Sequence, residues 1–420
     1  MWKQVNESFW RENRESKVDE VADTVQDIID LVRFEGDKAL IDLTMRFDKV
    51  VLDEIEVSRD EIEEAYENVD PALLDELENA AGYIQRFHEL QVPQDLWLKE
   101  VEPGITLGVK STPLERVGCY IPGGRASYPS TALMCIIAAK VAGVQEVICC
   151  TPAPIDPLTL VAMDIAGADE IYKAGGAQAV AAMALGTESI EPVQKIVGPG
   201  NVFVTAAKMI LRKNVEIDFP AGPSEIGVLA DETADAEFVA ADLIAQAEHD
   251  PSSACLLVTT DPDFPGEVWS CMEKQIRNAP RKEIILSALE NSGYIVEREM
   301  ELAVEIMNSI APEHLSIQVG NPLDILQKIT NAGSIFIGPY TPIAAGDYAS
   351  GTNHVLPTAG CAMTMSGLNV SHFRKTSSVQ MISEEGLETL APTIIAISKA
   401  EGLYAHSDSV KIRSRKKERK

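Results

Sequence analysis

Four of the chain's six histidines stand in short polar segments beside carboxylates or amides: Gln246-Ala247-Glu248-His249, Glu313-His314, the stretch from Asp347 to His354, and Glu401 through His406. Imidazole is the side chain that most often ligates metals and moves protons near neutral pH. The neighbours Glu313 and His314 can divide acid–base work, because their unperturbed pKa values differ by about two units. Gln246 and His249 are three apart on a helix expected over 235–250 that stops before Pro251. They project from one side, at the border of a stripe of Val239, Leu243 and Ala247. His249 falls in the last turn, where the helix dipole favours a cation. Asp347 and His354 share a segment read as too glycine-rich for a helix, and Glu401 and His406 bridge the end of one helix and the start of the next. Pooled, Gln246, His249, Asp347 and His406 offer two imidazoles with oxygen ligands, a set that suits zinc with an open position. No H-E-x-x-H and no cysteine cluster is present. Each segment taken alone therefore reads equally well as a solvated polar pair or loop.

Something must position these side chains. From about 117 to 231, short β-branched runs alternate with Ala-rich helical stretches across glycine turns: Val117–Ile121 then Pro122-Gly123-Gly124, 146–151, Ile171-Tyr172-Lys173 then Gly175-Gly176, and Lys195-Ile196-Val197 then Gly198-Pro199-Gly200. Repeated strand, turn and helix units predict a parallel sheet covered by helices, with ligands beyond the strands' carboxyl ends. A second α/β stretch is expected over 225–340, with strands near 225–230, 255–260, 315–319 and 334–338. Residues 18–48 and 60–90 read as helices, for example through Val25, Ile28, Ile29 and Val32. The charged residues 1–20 read as an arm, the chain after 368 as mostly helical, and the basic end KIRSRKKERK as disordered. G-x-G-x-x-G is absent, so the glycine turns alone support an α/β domain and no particular nucleotide.

Composition narrows the classes. Over 420 residues, 45% are hydrophobic and 24% charged, an ordinary globular balance for about two to three domains. Lys and Arg number 36 against 65 Asp and Glu, a net charge of −29, which argues against nucleic acid and anionic membranes as partners. Seven cysteines without a C-x-x-C argue for free thiols and a reducing compartment. No stretch approaches the ~18 apolar residues of a membrane span, and the first ten residues carry no apolar core for a signal peptide. The expected location is cytoplasmic.

Several ordered segments together resemble the histidinol dehydrogenase family: Glu115 through Gly124, Gly198-Pro199-Gly200-Asn201, Ala221-Gly222-Pro223-Ser224-Glu225, Ala245 through Asp250, Pro312-Glu313-His314-Leu315, Gly346 through His354, and Glu401 to His406. The resemblance extends from about Gly36 to His406. It implies an α/β fold of two incomplete Rossmann-like domains, parallel sheets flanked by helices, with extended N- and C-terminal helical segments exchanged in a homodimer. The implied division is an arm at 1–20, a first domain of 21–117 plus 225–368 with the zinc and the catalytic dyad, a second of 118–224 on the NAD side, and an exchanged tail at 369–420.

The same resemblance implies one zinc per subunit, held by Gln246, His249, Asp347 and His406. It implies substrate contacts from those four and from Ser224, His314, His354 and Glu401, and NAD contacts from Tyr120, Gln178 and Asn201. The implied reaction is the oxidation of L-histidinol to L-histidine through L-histidinaldehyde with two NAD reduced, His314 as general base and Glu313 activating water. A dehydrogenase of the same fold acting on a sulfonated propanediol would share the dyad. Glu401 with His406 favours an amino, imidazole-bearing substrate, since a sulfonate calls for an added cation.

Overall fold

The structure, a computed structural model, describes residues 2–12, 14, 18–123, 127–220 and 222–415. These fall into two compact units: the residues up to Gln91 together with Leu114–Phe373, and Val92–Pro113 together with the chain from Arg374 onward.

The first unit contains two parallel sheets, each flanked by helices. One has five strands in the order Glu170–Lys173, Glu146–Thr151, Arg116–Tyr120, Lys195–Val197, Glu216–Ile217. Four of them lead through turns into Pro129–Val141, Pro157–Ala166, Gly176–Leu185 and Val202–Leu211. These helices are apolar on most sides because they are covered twice. Their inner faces lie on the sheet, while Val18–Glu35 packs on Gly176–Leu185 and Val202–Leu211, Arg59–Glu67 on Pro157–Ala166, and Pro71–Glu89 on Pro129–Val141. Cys149 and Cys150 are fully buried in their strand, as a run of Val, Ile and Cys predicts.

The other sheet has six strands in the order Lys3–Gln4, Gly293–Val296, Ala254–Thr259, Glu225–Ala230, His314–Gln318, Ser334–Ile337. The expected strands at 225–230, 255–260, 315–319 and 334–338 each fall within a residue of these. The N-terminal segment read as an arm supplies the edge strand Lys3–Gln4, and Trp2, Trp10 and Arg14 are buried. A strand of two residues is too short to show a period-2 pattern, so nothing in the charged run announced it.

The second unit is a three-stranded antiparallel sheet in the order Arg374–Ile382, Ile105–Pro113, Leu96–Glu102, with helices Glu384–Ala400 and Tyr404–Arg415. Sequence reading missed these strands. All seven residues of Leu96–Glu102 are exposed, so the alternation that marks a half-buried strand is absent. The basic end expected to be disordered is helical through Arg415, with Lys411 paired to Asp408 at 2.7 Å; residues 416–420 of that expectation lie outside the described residues. No described helix is long and apolar enough to cross a membrane.

Candidate active site

Chain direction brings the catalytic candidates to the amino edge of the six-stranded sheet. Ser224 immediately precedes the strand Glu225–Ala230. From that strand's carboxyl end, helix Ala236–Ala247 runs back toward the amino edge, because the next strand, Ala254–Thr259, is parallel and must start there. Its last turn and the residues beyond it deliver Gln246 and His249. Helix Met300–Ile310 makes the same return. It ends on Ala311 at φ 48°, a left-handed cap that turns Glu313 and His314 into the start of strand His314–Gln318.

Asp347 does not sit on a loop. It belongs to the short helix Ile343–Tyr348, which Gly346 tolerates because both neighbouring elements hold it. The Ile343 N–H donates to Asp242 of helix Ala236–Ala247 at 3.3 Å, and the Phe336 ring lies 2.7 Å from where a Cβ on residue 346 would be. The same ring packs against His314, centroids 5.8 Å apart. Burial pushes the Asp242 carboxyl up to about 6, against the Ile343 hydrogen bond.

His314 lies buried between two carboxylates. Its Nδ1 is 3.6 Å from Glu313 Oε2 and its Nε2 3.6 Å from Asp347 Oδ1, beyond hydrogen-bond range on both sides. Burial alone would depress the imidazole, but Glu313 and Asp347 outweigh it and raise its pKa. Burial raises Glu313, opposed by His314. At Asp347 the contact and charge of His314 overcome burial and lower the carboxyl, with His354 and His249 adding to the effect. His249 is itself lowered by burial, against Asp347. Asp347 thus feels three imidazoles at once.

Behind the dyad runs a second buried chain of polar groups that sequence reading missed. The Glu225 N–H donates to Glu313 Oε2 at 2.8 Å. The Glu225 carboxylate faces Arg14, whose Nη1 is 3.3 Å from both of its oxygens and donates to the Ile310 carbonyl at 2.8 Å. Burial pushes Glu225 up to about 7, with Arg14 pulling it down. An acid opening the apolar run Ile226–Ala230 was the available signal. For Arg14, in a run of charges, there was none.

His354 is held at both ring nitrogens: Nδ1–H donates to the Asp347 carbonyl at 2.8 Å, which leaves Nε2 to accept from the Thr131 hydroxyl at 3.2 Å. Asn353 beside it donates to the Met134 carbonyl at 2.8 Å and to His88 Nε2 at 3.3 Å, while His88 Nδ1–H donates to the Ile84 carbonyl at 2.7 Å. The segment carrying Asp347 and His354 is therefore tied to helices that cover the five-stranded sheet.

Gln246 is fully buried and neither its amide oxygen nor its nitrogen has a protein partner. A buried amide without partners costs about 1–3 kcal/mol, so its environment calls for a ligand. Among the described residues no three His, Cys, Asp or Glu side chains form a metal-binding group by themselves. Of the four residues expected at zinc, His249 and Asp347 lie close enough for their charges to interact. Glu401 caps helix Glu384–Ala400 and His406 lies in the first turn of Tyr404–Arg415; both belong to the second unit and are exposed.

The three residues expected at NAD gather at the opposite kind of edge, the carboxyl ends of the five-stranded sheet. Tyr120 ends its strand and its hydroxyl accepts from the Gly176 N–H at 3.0 Å. Gln178 is buried in the first turn of Gly176–Leu185. Asn201 is exposed and caps Val202–Leu211, its Oδ1 accepting from the N–H groups of Phe203 and Val204 at 3.0 and 3.2 Å. Tyr120 thus ties the end of its strand to the start of Gly176–Leu185.

Comparison with known proteins finds matches along nearly the whole chain. A family model described as histidinol dehydrogenase matches residues 11–414. The histidinol dehydrogenase of Methanosarcina barkeri is 52% identical over 405 residues, 96% of this chain and 94% of the relative. That of Archaeoglobus fulgidus is 49% identical over 415 residues, covering 98% and 100%. A crystal structure of histidinol dehydrogenase from Elizabethkingia anophelis superposes with a TM-score of 0.95 at 40% identity, covering 99% of this chain and 98% of that one. By the match to the family model, the identity to these relatives and the shared fold, the chain belongs to the histidinol dehydrogenase family.

Proposed function

We propose that this chain oxidises L-histidinol to L-histidine in two successive two-electron steps with NAD, as an enzyme of histidine biosynthesis. The observation that carries the reading is His314, an imidazole buried between Glu313 and Asp347, taken with Gln246, a fully buried amide that no protein group satisfies. One zinc fits the donor set of Gln246, His249, Asp347 and His406 of the partner subunit, and the exposure of His406 and Glu401 on the second unit is what a shared site in a homodimer calls for. Bound there, zinc would supply an orienting template for the substrate, and NAD would take up the electrons of each oxidation.

The remaining work falls to the protein. Neutral His314 takes the hydroxyl proton of histidinol as the adjacent carbon is oxidised. Asp347 helps to hold a proton on His314, and a cation held by Asp347 would offset that effect and leave the imidazole free to act as a base. In the second half, Glu313 removes a proton from the water that adds to histidinaldehyde. The hydrate then loses its hydroxyl proton to His314 as the carbon is oxidised to the acid. Glu313 is suited to this because burial raises its basicity, while the Glu225 N–H fixes one of its oxygens. Ser224, His354 and Glu401 complete the substrate contacts, Tyr120, Gln178 and Asn201 line the dinucleotide side, and the enzyme works in the cytoplasm.

The test is NADH formation by the purified protein with histidinol and, in parallel, with sulfopropanediol. Two NADH per histidinol and none with the sulfonate is the expected result. Turnover of the sulfonate alone would reverse the assignment.

A further inference from the structure

The first unit contains a buried ion pair that the reaction does not use. Lys208, in helix Val202–Leu211, pairs with Asp218, just past strand Glu216–Ile217, and their side chains are 3% and 1% exposed. Removing two charges from water is expensive, and an apolar pair would often serve folding as well. Both charges converge on one residue. The Lys208 ammonium donates to the Gly198 carbonyl at 3.0 Å, and the Gly198 N–H donates to Asp218 Oδ2 at 2.8 Å. The other carboxylate oxygen, Oδ1, accepts from the Phe219 N–H at 2.7 Å. Asp218 is itself held in line with the sheet, its N–H donating to the Ile196 carbonyl at 3.2 Å. Gly198 has φ 112°, and a Cβ there would fall 2.1 Å from the Tyr120 carbonyl oxygen. The turn that leads to Asn201 is thereby clamped through both of its first peptide groups while it crosses the end of the Tyr120 strand.

We infer that the Lys208–Asp218 pair is a positioning device for the dinucleotide loop Gly198-Pro199-Gly200-Asn201, setting cofactor affinity without touching the cofactor; this rests on the proposed placement of NAD at that edge. Both side chains are too buried to meet a ligand, so their effect passes through Gly198. The pair therefore acts on NAD and leaves histidinol, bound at the amino edge of the other sheet, unaffected.

The test uses full-length, zinc-loaded enzyme carrying Lys208→Met with Asp218→Asn. This double variant leaves no unpaired charge, keeps an acceptor for the Gly198 N–H and removes the donor to its carbonyl. NAD and histidinol dissociation constants by titration calorimetry, steady-state kcat and KM, and thermal unfolding are read together. The expected result is a rise in Kd and KM for NAD of about 10–100-fold, the scale of effect that misplacing a contact by about 1 Å produces. Histidinol affinity and kcat at saturating NAD should stay near wild type. A purely structural role would lower the melting temperature and leave NAD affinity of the folded protein within twofold of wild type, and that result overturns the inference. Should the double variant not fold, Lys208→Gln with Asp218→Asn, whose amides can bond each other, carries the same readout. If the wild-type enzyme binds histidinol but not NAD, the placement of NAD falls, and the inference with it.

Discussion

The six-stranded and five-stranded sheets are both parallel and both flanked by helices, yet their chemistry-bearing residues collect at opposite edges. On the six-stranded sheet they lie where strands begin and helices end: Ser224, Gln246, His249, Glu313 and His314. On the five-stranded sheet they lie where strands end and helices begin: Tyr120, Gly198 and Asn201. Helix C-termini carry partial negative charge and free carbonyls, which favour cations, and helix N-termini carry free N–H groups, which favour anions. The first edge is therefore suited to a divalent ion and an imidazolium, the second to a dinucleotide's phosphates. In the proposed function, one architecture used from its two ends would supply both halves of a metal- and nucleotide-dependent oxidation.

The sharpest way to break this division is at the amino edge. His314→Ala should lower kcat by about 10²–10⁴-fold, the usual worth of a positioned base, while zinc content by metal analysis stays at one per subunit. Retained turnover would remove His314 from its role. Gln246→Ala should act on a different quantity: zinc affinity should fall at least as far as the roughly 10–100-fold seen when an outer-shell metal partner is lost, and turnover with it. Full zinc occupancy in that variant would mean that the orphaned amide serves something else.

A variant behind the dyad tests its electrostatics. Arg14→Met should destabilise the protein by about 3 kcal/mol or more, the scale for removing one member of a buried pair, and the loss should depend on pH. Glu225 has a folded-state pKa raised by burial to about 7 from 4.5, so the folded state binds its proton more tightly than the unfolded state does. That contribution is present at low pH and is lost as pH rises through about 7. Without Arg14 the carboxylate is more costly still. Urea unfolding should therefore show a large deficit at pH 8 and a small one at pH 5. Equal deficits at both would exclude the ion pair as the cause.

At the carboxyl edge the expected effects are smaller and fall on the cofactor and on local stability. Gly198→Ala forces a Cβ against the Tyr120 carbonyl at positive φ, a strain of about 1–3 kcal/mol. NAD affinity should fall with histidinol binding intact, as calorimetry with each ligand would report. The smallest effect belongs to Asn201→Ala, which removes a helix cap worth about 1 kcal/mol and should lower the melting temperature by a few degrees.

The sequence alone reached far where a local pattern carries the information. Strand, turn and helix units read from β-branched runs and glycines reappear as the five-stranded sheet, and the helix carrying Gln246, expected over 235–250, is present as Ala236–Ala247. Tertiary structure decided what has no local period. Lys3–Gln4 is too short to announce a strand, Leu96–Glu102 shows no alternation because every residue is exposed, and Asp347 is helical only because Asp242 and Phe336 hold its neighbours. Periodicity shows that 18–48 and 60–90 are helical, but packing alone determines which sheet those helices cover. The same holds for the site. Residue types nominated His314 and Glu313, whereas the burial that sets their proton affinities, and the Arg14–Glu225 chain behind them, come from residues 211 positions apart meeting in the core. Side-chain chemistry is encoded one residue at a time, but the field that tunes it depends on every charge and dipole nearby, and which of these are nearby is decided only when the chain closes on itself.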